Sequence, residues 1–140
     1  MFHQSSLTAR TALPDTASRP EINAVADAVF EMYPSEKVMA VFQPHLFSRT
    51  QDFIEDFAVE LAKFDEVLLL DIYPAREMPI KGVSSLWLLE KILNKNKKIT
   101  DKINLVKDIK NSEANIVIML GAGDIGKMVE GVKNELISIC

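Results

Sequence analysis

The sequence predicts an α/β domain of three layers, Rossmann-like, built on a mainly parallel sheet. Three observations carry that expectation. Short apolar runs alternate with longer stretches of helical periodicity. The runs "KVMAVFQ" (37–43) and "DEVLLLD" (65–71) are apolar at consecutive positions, as strands buried on both faces of a parallel sheet must be. Polar, turn-forming segments follow the strand runs at 43–50, 71–82 and 121–126, where open parallel sheets hold their ligands.

Each element has a local reason. Residues 20–33 put Ile22, Val25, Ala26, Val29 and Phe30 on one helical stripe. Pro20 suits a first helical turn and Pro34 ends the helix. A strand over 37–43 leads to a second helix over 48–64. Phe53, Ile54, Phe57, Ala58 and Leu61 form its inner stripe, with Ser48 or Thr50 as cap. A second strand within 65–74 precedes a helix over 84–96 and a thin strand near Ile99. A short helix over 101–112, a strand over 114–120 and a helix over 124–137 complete the alternation. Residues 1–18, rich in Ser, Thr, Ala and Pro, read as a flexible arm, and 19–140 as one domain.

Composition narrows the function classes. The chain of 140 residues suits one domain. Its formal charge of −4 gives no global attraction to nucleic acid or anionic membranes. The lysine-rich stretch at 91–110 reads as a solvated surface. No apolar run is long enough to span a bilayer, and the first twenty residues lack the apolar stretch of a signal peptide. A single cysteine, Cys140, allows no internal disulfide, and no metal-ligand spacing occurs. A cytoplasmic location fits these features.

The expected rim gathers His45, Arg49, Asp71, Tyr73, Arg76, Glu77 and Asp124. Arg49 is the best anion ligand, since a guanidinium pairs bidentately with a carboxylate or phosphate. The alternative for Arg49 is a surface pair with Asp52 or Glu77. His45 suits a substrate contact or a loop lock. Asp71 ends a buried strand and needs a partner. Glu77 is placed to hold Arg49 or Arg76, or to face solvent. Met78, Ile80 and Val83 are expected to pack the loop, and Trp87 to pack in the core or an interface. Gly121, Gly123 and Gly126 have dinucleotide spacing, with Asp124 as a helix cap. The sequence given ends before the acidic residue that fingerprint requires, so a nicotinamide cofactor is not expected. No phosphate-binding G-x-x-x-x-G-K-[ST] loop, nucleophile elbow or zinc motif is present.

Three ordered segments carry a family resemblance. "VFQPHLFSRTQDFIEDFA", "LLLDIYPAREMPIKGVSS" and "LGAGDIG" resemble motifs of the carboxy-terminal domain of the Mur ligases. The branch that joins L-alanine to UDP-N-acetylmuramate is the most similar. The resemblance runs from about Arg19 to the end of the sequence. It implies the amino-acid-side domain of a three-domain enzyme that uses ATP and magnesium, with no cofactor in this domain and no activity from it alone. It assigns Arg49 to the amino-acid carboxylate, places His45, Tyr73 and Glu77 in the substrate rim, and gives Gly121, Gly123 and Asp124 to the terminal turn. Two departures stand out. Leu46 occupies a position where many members carry a second arginine, and "DTASRPEI" lacks the histidines of the family's domain-joining segment. A stand-alone small-ligand or regulatory module of the same fold is the alternative.

Overall fold

The structure is a computed structural model describing residues 22–121, with Ile125 and Gly131. The expected arm over 1–18, Pro20 and most of the closing helix over 124–137 lie outside the described residues. Helix α1 (Ile22–Met32) buries Ile22, Val25, Ala26 and Val29, the expected stripe. Four strands follow in alternation with helices: β1 (Val38–Gln43), β2 (Glu66–Leu69), β3 (Lys97–Ile99) and β4 (Ile116–Gly121). All three strand pairings are parallel, in the order β3-β2-β1-β4. The thin strand near Ile99 is real and lies at one edge of the sheet. From β1 the chain builds outward through β2 and β3, then crosses back to place β4 on the other side of β1. The β1–β4 boundary is therefore the switch point, where parallel sheets open a crevice at their carboxyl ends.

Strand alternation sorts the core into two layers. Val38, Ala40 and Phe42 face one cluster with α1, α3 (Ile54–Leu61) and α4 (Ser85–Lys91). Met39 and Val41 face the other, with Leu105 and Ile109 of α5 (Leu105–Lys110) and with Ile125. Every residue of β1 is buried. That burial accounts for the unbroken apolar run. Trp87 is half-buried at the edge of the first cluster, with Lys91 Nζ 5.7 Å from its ring centroid. Among the described residues no helix is long and apolar enough to cross a membrane.

Three helices differ from expectation, and the one expected over 101–112 spans only Leu105–Lys110. The helix expected over 48–64 starts one residue earlier and divides into α2 (Phe47–Asp52) and α3. Phe53, at φ −113° and ψ 22°, leaves the helical region at the division. Bonds from Phe53 N to Arg49 O and from Phe57 N to Phe53 O keep the two pieces continuous. The helix expected over 84–96 ends at Lys91, because Ile92 is extended. Ser84 caps its start, accepting from Trp87 N at 3.1 Å. Lys97 caps its end, donating to the carbonyls of Leu89 and Ile92 at 2.9 and 2.7 Å. That lysine, taken as solvated surface from the sequence, is half-buried and structural.

Candidate functional site at the carboxyl ends of the strands

Two strand exits are joined by main-chain bonds. Past the end of β1, Pro44 O accepts from Tyr73 N at 2.8 Å, and Leu46 N donates to Tyr73 O at 2.8 Å. His45 and Tyr73 thus form an isolated parallel bridge. Their rings stack, with centroids 5.7 Å apart and planes 16° from parallel. Leu46 turns the chain into α2 at φ 74° and ψ 135°. That conformation is costly for a side-chain-bearing residue and persists only where neighbours enforce it. Here Leu46 O accepts from Thr50 N at 3.1 Å and from Thr50 Oγ1 at 2.8 Å. On the facing loop Ala75 also has a positive φ, 54°. The two non-glycine residues with positive φ among those described both lie at this rim.

Glu77 reaches across from the second loop and caps α2. Its carboxylate accepts from Ser48 N at 3.0 Å and from Ser48 Oγ. This corrects two expectations. Neither Ser48 nor Thr50 caps the helix with its own side chain. Among the described residues, Glu77 forms no ion pair with Arg49 or Arg76. The bonds from Ser48, first by its hydroxyl and then by its backbone amide, hold the Glu77 carboxyl below its ordinary value.

Arg49 follows Ser48 directly. It is half-buried and, among the described residues, has no salt-bridge partner, so the surface pair with Asp52 or Glu77 is not formed. Its charge is felt at His45. Burial chiefly, and the Arg49 cation next, push the His45 pKa below 6.5, against the opposing pull of Glu77. Near neutral pH the rim therefore presents a neutral imidazole beside a positive guanidinium. That pair suits one anionic group with polar neighbours.

The other expected residues divide. Asp71 is exposed rather than buried, because β2 ends at Leu69 and the carboxylate lies beyond the sheet. Arg76 is exposed too. Met78 does not pack the loop and is 80% exposed, while Val83 is buried. Gly121 ends β4 at φ +134°, and a Cβ there would stand 2.5 Å from Gln43 O. Only glycine fits that approach. Gly123 and Asp124 lie outside the described residues. No group of three or more potential metal ligands occurs among the described residues. Two contributors were not singled out from the sequence. Ser48 was read only as a self-cap, and Gln43 was passed over as the end of a strand. A buried amide closing an apolar run was the available signal for Gln43.

Fold and strand order together define a Rossmann-like α/β domain, with the rim gathered at the β1 exit. Comparison with known proteins makes the class specific. No protein-family model matches the chain. The chain is 62% identical over 126 residues to the UDP-N-acetylmuramate–L-alanine ligase of Christiangramia forsetii, covering 89% of the chain and 28% of that protein. Identity to the same ligase of Flavobacterium psychrophilum is 60% over 125 residues, again 89% of the chain and 28% of the relative. The crystal structure of UDP-N-acetylmuramate-alanine ligase from Thermotoga maritima superposes with a TM-score of 0.69 at 25% identity, covering 90% of this chain and 26% of that one. The chain belongs to the Mur ligase family, as a counterpart of its members' carboxy-terminal domain. Within the family it matches the UDP-N-acetylmuramate–L-alanine ligases, and spans about 28% of the length of those relatives.

Proposed function

We propose that this chain is the amino-acid-side domain of an enzyme that joins L-alanine to UDP-N-acetylmuramate with ATP hydrolysis, in peptidoglycan precursor synthesis. The observation that carries the reading is the match to UDP-N-acetylmuramate–L-alanine ligases over 89% of the chain. The rim adds a physical reason. Arg49 offers a positive charge to the amino-acid carboxylate, free of a salt bridge among the described residues. His45 and Tyr73 form the wall beside it, and Glu77 holds the helix that carries Arg49. Gly121 ends β4 beside Gln43; Gly123 and Asp124, assigned with it by the resemblance, lie outside the described residues. ATP, magnesium and UDP-N-acetylmuramate bind in the full-length enzyme, and no residue of this domain is assigned to them. The setting is cytoplasmic. Amide formation requires reactants aligned between domains, so the chain alone is inactive.

A chimaera tests this. The chain replaces the matching segment of the Flavobacterium psychrophilum ligase, and formation of UDP-N-acetylmuramoyl-L-alanine is followed. The reading predicts product from the chimaera and none from the isolated chain. A folded chimaera that makes no product contradicts it.

A further inference from the structure

We infer that Gln43 is the positioning residue of this site, a side-chain clamp that holds three strand exits in one register. The inference rests on the proposed function only for its consequence in catalysis. Gln43 is the last residue of β1 and is 5% exposed. Its Nε2 donates to Asp71 O at 3.2 Å, on the β2 side. Its Oε1 accepts from Ile125 N at 3.0 Å, on the β4 side. One carboxamide thus uses a donor and an acceptor on two different loops, and these partners fix which end is nitrogen. Its own backbone meets Gly121 in register, at a distance that excludes a Cβ.

The spacing gives the clamp its effect. His45 lies two residues after Gln43, and Tyr73 lies two residues after Asp71. The His45–Tyr73 bridge therefore hangs from two exits that Gln43 ties together. Ile125 is fixed against the same side chain through its backbone amide. Losing the carboxamide leaves a buried amide hydrogen and a carbonyl without partners. The rim and Ile125 then lose their common reference, although no ligand-contacting group is removed.

Gln43→Met keeps the bulk and removes both bonds. Val29→Ala, in the α1 face of the core, serves as a control of comparable thermal destabilisation. In the 140-residue chain, hydrogen exchange at the Ile125 and Tyr73 amides is compared between the variants. The clamp predicts that Gln43→Met loses protection at both amides by about tenfold or more relative to the control. Exchange matching the control at both amides overturns the clamp, whatever the ligase does. The chimaera supplies the second arm. There Gln43→Met raises KM for L-alanine about tenfold, with kcat less affected, while Val29→Ala leaves KM unchanged. An active chimaera with an unaltered KM overturns the positioning role. A wild-type chimaera without activity counts against the proposed function, and the exchange result still decides the clamp.

Discussion

Two places at the carboxyl edge of the sheet carry charge, and they use it differently. At the exit of β3, Asp108 accepts from Lys98 Nζ at 2.9 Å and from Thr100 Oγ1 at 2.5 Å. Burial would raise its carboxyl, but these bonds outweigh it and hold the group below the ordinary aspartate value. The hollow beside it, about 510 Å³, is lined by Asp71, Lys98, Thr100, Asp101, Asn104 and Lys107 among others. Asp101 is itself engaged, accepting from Asn104 N at 2.8 Å. At the exit of β1 the internal carboxylate, Glu77, goes to a helix cap and leaves Arg49 without a salt bridge among the described residues. The Asp108 carboxylate at β3 is thus engaged by Lys98 and Thr100 within the fold, whereas the rim at β1 holds a cation without a salt bridge among the described residues.

The largest loss of stability is expected at Gly121. Gly121→Ala meets Gln43 O at 2.5 Å with φ at +134°, so the β1–β4 crevice must deform. A loss of about 3 kcal/mol or more is expected from the urea midpoint. Gly82→Ala is the comparator: φ is +84°, but nothing lies within 4 Å of the added atom. It should cost only about 1 kcal/mol, the conformational part alone.

Asp108→Ala sharpens the other side. It orphans the buried Thr100 hydroxyl and frees Lys98. Chemical denaturation should show about 1–3 kcal/mol lost, with the L-alanine dependence of the active chimaera unchanged. A changed KM would give the β3 exit a part in binding that its matched charges deny it.

Glu77 gives the smallest effect, and its sign follows from the lowered pKa. Its contribution is present above the unfolded value of 4.5 and fades as pH falls through the lower folded value. Glu77→Gln removes that pH-dependent part. The difference in Tm between wild type and variant should therefore shrink on acidification. A difference that is constant with pH would mean that the ionised form of Glu77 is not what holds Ser48.

Much of this arrangement was legible in the chain. Apolar runs buried on both faces mark parallel strands, and β1 and β4 were plain for that reason. The motif residues His45, Arg49, Tyr73 and Glu77 do meet at one rim. Pairings between side chains were not legible. Nothing in spacing says that Glu77 caps the helix of Ser48 rather than pairing with an arginine, because both satisfy a carboxylate. The break at Phe53 was hidden by an inner stripe that continues across it. Strand order was hidden as well, since alternation fixes handedness and layers but not which strand neighbours β1. Asp71 was misplaced because an apolar run does not show where the ladder stops.

The proposed role of Arg49 is to meet the amino-acid carboxylate. Arg49→Ala in an active chimaera, with folding checked by circular dichroism, tests it directly through kcat/KM for L-alanine. A fall of about tenfold or more is expected, the worth of a charge-assisted hydrogen bond of roughly 1.5–3 kcal/mol. Thermal stability should be little changed, because no salt bridge among the described residues is lost. A folded variant with an unaltered kcat/KM would contradict the claim and return Arg49 to the surface.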